Sequence, residues 1–198
     1  MKTKDTFSFR IFKIIFVFQL LIMSDIFAQE NIDTVAIKKR LDYILERDQK
    51  TRAHGDSVEF MAYFDSCNLA EVAELIDQYG WPGKHFVGGA GNRAVFLVIQ
   101  HADLATQEKY FPLLEKSVAE EESSPSHLAL LKDRIWMRKG KKQIYGSQVI
   151  FNKETGAQEF YPIEDEANVD IRREKVGLEP LKKYAKYFGI DYKYPEKK

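Results

Sequence analysis

Apolar residues recur at three- and four-residue spacing over most of this chain. Ile37, Leu41, Ile44 and Leu45 fall on one helical face, with Asp33 or Thr34 as the cap and an end near Thr51. Residues 53–57 read as a break containing Gly55. A short helical stretch is predicted over 58–64. A separate helix is predicted behind Asn68, because Glu71 stands three residues on in a capping pattern. Leu69, Val72, Ala73, Ile76 and Tyr79 form its stripe, Gly80 ends it, and Trp81-Pro82 prevents resumption. Residues 87–91 are glycine-rich but lack the spacing of a phosphate loop. The helix from Ala94 to His101 is apolar nearly all round, which places it centrally.

Asp103 caps the next helix, which carries Leu104, Gln107, Phe111, Leu114 and Val118, and Pro112 is expected to kink or split it. Ser124-Pro125 opens another, with Leu128, Leu131 and Ile135 buried and Gly140 at its end. The pattern then changes. Residues 143–151 and 158–163 have β character around the turn Asn152-Lys153-Glu154-Thr155-Gly156, which predicts a hairpin. Asn168 and Pro180 open two last short helices. The expected fold is mainly α (α+β): a single helical domain with one β-hairpin in the C-terminal third.

The N-terminal segment stands apart. Lys2, Lys4, Arg10 and Lys13 precede an apolar run from Ile14 to Met23, and Ala28 stands before the polar Gln29. This is the order of a secretory signal peptide, and the run is short against the roughly 20 residues of a membrane span. The expected organisation is a signal peptide over 1–28 and one globular domain over 29–198. The protein is then exported to the periplasm or the extracellular space, with no stable membrane insertion after cleavage.

Composition narrows the partners. The chain has 30 basic and 30 acidic residues, and loss of 1–28 leaves 26 and 28, a net of −2. That argues against nucleic acid or another polyanion. Cys67 is the only cysteine, so no intrachain disulfide holds the fold, and it reads as a structural thiol.

The candidate chemistry lies in three places. His101 shares a stripe with Ala94 and Val98 and is flanked by Gln100 and Asp103. It reads as a core histidine held by a hydrogen bond, as a general acid–base group or, on the weaker signal of His101 with Asp103, as a metal ligand. Asp133 and Arg134 interrupt an apolar helix, either as an internal ion pair or with the carboxylate in a cleft. Gln143-Ile144-Tyr145-Gly146-Ser147-Gln148 places two amides and a phenol where core residues usually sit, and Gly146 leaves room for a side chain or ligand. Arg172-Arg173 offers a fork for a carboxylate or a solvated helix face. The histidines lie in unrelated segments without metal spacing, so neither metal nor cofactor is expected.

The segments YGWP, QHAD, LALLKDRI, QIYGSQ and VDIRREKVGL occur in this order between Tyr79 and Leu178. Together they resemble an uncharacterised bacterial family, a domain of unknown function, and Asp48-Gln49-x-x-Arg52 and Asp65-x-x-Asn68 resemble its earlier segments. The resemblance implies no activity or cofactor. It implies that Trp81, Gln100, His101, Asp103, Asp133, Arg134, Gln143, Tyr145, Gln148, Arg172 and Arg173 belong to the family pattern. Two functions follow as expectations. In the first, a cleft for a small polar ligand or substrate has His101, Asp133 and Tyr145 as its chemical groups. Trp81, Gln100, Asp103, Arg134, Gln143, Gln148, Arg172 and Arg173 then orient the ligand. In the second, the protein is a non-catalytic interaction module with a protein partner, and its polar cluster is structural.

Overall fold

A computed structural model describes residues 33–55 and 57–195. The expected signal peptide lies outside the described residues. Seven α-helices are described: α1 (Thr34–Ala53), α2 (Val58–Tyr79), α3 (Lys84–His101), α4 (Leu104–Ala119), α5 (Pro125–Arg138), α6 (Val169–Lys175) and α7 (Leu181–Ala185). One antiparallel pair, β1 (Val149–Phe151) and β2 (Gln158–Phe160), separates α5 from α6. The fold is mainly α with a single late hairpin. No described helix is long and apolar enough to cross a membrane.

Helices α1 to α5 share the main core. Leu41 and Ile44 belong to one buried cluster with Val72 and Ile76 of α2, Val95 and Ile99 of α3, Leu114 of α4 and Leu131 of α5. Helix α3 is the central one, as its all-round apolar sequence requires. Burial of this core is the main stabilising term, at roughly 1.5–3 kcal/mol for each large apolar side chain. A second, smaller cluster joins Ile163, Val169, Leu181, Ala185 and Tyr192.

Several boundaries differ from the sequence expectation, each for a local reason. Helix α2 is continuous from Val58, and its N-cap is Ser57, whose hydroxyl accepts from the Phe60 amide. Asn68 is no cap; it is buried inside α2, where its Oδ1 accepts from Arg47 Nε at 2.9 Å. Helix α3 begins at Lys84 and passes through Gly88, whose φ of 77° interrupts the helical backbone without ending the element. Pro112 does not split α4, because Tyr110 and Leu114 on either side of it are buried in the same core. Asp103 and Ser124-Pro125 do open α4 and α5, with Asp103 accepting from the Thr106 amide at 2.8 Å.

The hairpin is shorter than its β-prone sequence. Val149 pairs with Phe160 and Phe151 with Gln158, while 143–148 is an irregular loop. Gln143 forms one parallel bridge to Ile163, with its amide on the Pro162 carbonyl at 2.9 Å.

Candidate functional site

The loop 143–148 is held by side chains from three helices. Asp133 of α5 is fully buried, and its carboxylate accepts from the amides of Ile144 (2.7 Å), Tyr145 (3.1 Å) and Ser147 (3.0 Å) and from Ser147 Oγ (2.9 Å). Burial pushes Asp133 above the usual carboxylate range, against the pull of these donors. The loop carbonyls are met by other groups. Arg172 Nε donates to Ile144 at 2.9 Å, Arg173 Nη1 to Tyr145 at 2.7 Å, and Tyr184 Oη to Ser147 at 3.1 Å. Gln143 closes the loop on itself: its Oε1 accepts from the Gln148 amide, and its Nε2 donates to the Gln148 and Tyr161 carbonyls.

The glycine in this loop is required twice over. Gly146 has φ 69°, and a Cβ there would stand 2.9 Å from Ile163 Cδ1 and 3.0 Å from Leu181 Cδ1. The space expected for a ligand beside Gly146 is thus filled by the second core cluster.

His101 lies elsewhere, at the C-terminal end of α3. Its Nδ1 donates to Asp48 Oδ1 at 3.0 Å, and Asp48 is 1% exposed. The same carboxylate holds Arg52 at 2.8 Å and accepts from Gln49 Nε2 at 2.7 Å. Arg52 continues to Asp65 of α2, with Nη2 at 2.8 and 3.0 Å from its two oxygens. Burial alone would raise Asp48, but the hydrogen bond and charge of His101, with Gln49 and Arg52, outweigh it and hold the carboxyl below its usual range.

Helix α1 places Asp48 in this position by spacing alone. Leu41, Ile44 and Asp48 follow one stripe, so a carboxylate occupies a core register position and needs partners. With Nδ1 held by Asp48, Nε2 of His101 is the ring nitrogen left for another partner. The side chain keeps 18% of its surface exposed, and Nε2 has no hydrogen-bond partner among the described residues.

The two regions meet along α5. Gln100 Nε2 reaches the Leu130 carbonyl at 3.4 Å, and Arg138 Nη1 donates to the Ala102 carbonyl. Arg134 stands one turn from both Leu130 and Arg138, within reach of the charges of Arg138 and Arg52. Its Nε donates to Gln148 Oε1 at 3.0 Å. Burial works against its positive charge, and so do the nearby charges of Arg138 and Arg52.

The other expected site residues have structural surroundings. Trp81 and Gln100 are buried, Asp103 is an exposed N-cap, and Tyr145 is half-buried with its amide on Asp133. Arg172 also bonds the Asp165 carbonyl at 3.0 Å. Arg173 bonds Glu179 at 2.6 Å and lies over the Tyr184 ring. Asp48, Arg52 and Asp65 were not among the expected chemical groups, although the off-pattern Asp48 on an apolar stripe was a readable signal.

Asp48, Asp65 and His101 each bring a ligand atom within 4.8 Å of the others, a spacing that a metal ion could bridge. Here the guanidinium of Arg52 bridges the two carboxylates. A separate groove of about 270 Å³ between α1 and α2 is lined largely by Ile37, Leu41, Ile44, Val72 and Leu75, and its Arg40 and Glu71 are paired with each other. Its lining offers no acid–base group like the Asp48–His101 pair.

The model of a family of unknown function (DUF6624) matches residues 23–195. The chain belongs to this family. The match spans every described element, so the family domain contains both the Asp48–His101 pair and the loop bound to Asp133. No curated protein and no solved structure matches the chain.

Proposed function

We propose that this family member is an exported protein that binds a small polar ligand, with His101 and Asp48 as its proton-transfer pair. The observation that carries this reading is the partly exposed end of the pair: a buried carboxylate fixes Nδ1, and Nε2 is left without a protein partner among the described residues. That is the arrangement of a general base oriented by a carboxylate. Arg52 bridges Asp48 and Asp65 and offsets one of their two charges, and Arg134 with Gln148 forms the side of the site toward α5. Asp133, Gln143, Arg172 and Arg173 support that side by fixing the loop and are not reacting groups. Export rests on the basic, apolar and small-residue order of residues 1–28. N-terminal sequencing of the protein from its native cell envelope should find a start near Gln29; an intact Met1 on a cytosolic product would contradict it.

Acylation of histidines by diethyl pyrocarbonate, read by mass spectrometry, tests the pair. His101 should react at a rate comparable to the exposed His54 and His85 despite its smaller exposure. Asp48→Asn should slow His101 by roughly tenfold by releasing the tautomer, and leave His85 unchanged. A His101 that stays unreactive in the folded protein removes the proposal. In that case the second reading stands, an interaction module with a structural polar cluster. The complete hydrogen bonding of Asp133 favours it.

A further inference from the structure

We infer that the ligand carries an anionic oxygen group, a carboxylate or a phosphate, and that Arg134 grips it. This rests on the ligand-site reading above and names the chemical class that the site takes.

The arginines of the chain differ in how they are satisfied. Arg40 pairs with Glu71, Arg52 with Asp48 and Asp65, and Arg172 with Asp165. Arg173 is bound by two carbonyls and the face of Tyr184. Arg134 is different. It is largely buried yet forms no ion pair among the described residues, and its one hydrogen bond is from Nε to Gln148. Its terminal nitrogens are not among the buried unpartnered atoms, so they keep access to solvent and to an anionic ligand.

The geometry also selects the kind of counter-ion. Fixing Nε on Gln148 orients the guanidinium plane, and the two terminal nitrogens then present parallel donors. That fork matches two oxygens of a carboxylate or a phosphate. Arg134 lies between the two bonds that tie α5 to the end of α3, Gln100 to Leu130 and Arg138 to Ala102, and it feels the charge of Arg52, which is bound to Asp48. The acids of this region are already engaged: Asp48 and Asp65 share Arg52, which offsets one of their two charges, and Asp133 is occupied by the loop amides. Arg138 and Arg52 add positive charge nearby. An anion on Arg134 would place the rest of a small ligand beside Nε2 of His101.

Titration of the folded protein with inorganic phosphate, and separately with succinate, tests this by NMR. The Arg134 Nε–Hε signal and the His101 ring signals should shift saturably with at least one of the two. The anion that does so identifies which oxygen group the site prefers. Arg134→Gln should weaken that binding by at least about tenfold, because it removes the fork and the charge. The backbone spectrum of the variant reports whether it is folded. If it is not, Arg134→Lys decides, with a loss of about threefold or more expected because a point charge does not reproduce the fork. No saturable shift with either anion, or binding unchanged in the folded Arg134 variant, overturns the inference. If that result accompanies Asp48-dependent acylation of His101, the ligand-site reading survives and only the anionic class is lost.

Discussion

Asp48 and Asp133 are both carboxylates with almost no exposed surface, and their partners give them opposite roles. Asp133 accepts from four donors of one loop, three of them main-chain amides that have no strand to pair with. Asp48 accepts from side chains only, one of which is a partly exposed imidazole. Asp133→Asn would turn an NH2 group toward those amides, and should lower unfolding stability by roughly 3 kcal/mol, measured by urea denaturation. Gly146→Ala should cost roughly 1–3 kcal/mol, since the new Cβ meets both a positive φ and Ile163. A neutral result at Gly146 would mean that the loop adapts and is not fixed by its contacts.

The helix caps that the sequence displays directly, at Asp103 and Ser124, are the caps of α4 and α5. The start of α2 shows how a local pattern can mislead. Asn68 followed by Glu71 fits a capping box, yet Asn68 is buried and bound to Arg47, and Ser57 caps the helix. Ser57→Ala should therefore destabilise by about 1 kcal/mol in a thermal melt. Asn68→Ala should cost more, because it leaves part-buried Arg47 without its hydrogen-bond acceptor. A neutral Ser57→Ala beside a loss of about 1 kcal/mol for Asn68→Ala would place the helix start at Asn68. The helices were legible because one apolar stripe meets one core. The loop was not, because Gln143, Tyr145 and Ser147 alternate like a strand while their partners come from Asp133, Arg172, Arg173 and Tyr184, distant in sequence. His101 was legible as a core-edge histidine. Its partner Asp48 lies 53 residues earlier and could be found only as a carboxylate breaking an apolar stripe.

At the scale of the molecule, two cores are joined across one polar loop. Acid should expose a different weak point. His127 stacks on Phe96, its Nδ1 is buried without a partner, and burial, with a smaller contribution from Arg93, pushes its pKa down to about 4. Between about pH 6.5 and 4 the unfolded chain holds the proton that the folded chain refuses. Stability from this group is therefore complete above about pH 6.5 and falls toward pH 4, by a total on the order of 3 kcal/mol. His127→Phe should flatten that part of a stability-versus-pH curve; an unchanged slope would assign the acid loss to other groups. The division between supporting loop and reactive pair is the central claim, and one comparison of thermal melts tests it most directly. Asp133→Asn should lower Tm by about 6–12 °C, while His101→Ala, which leaves Asp48 with Arg52 and Gln49, should lower it by no more than about 4 °C. Equal losses in the two variants, or a larger one for His101→Ala, would make His101 part of the scaffold and contradict the account.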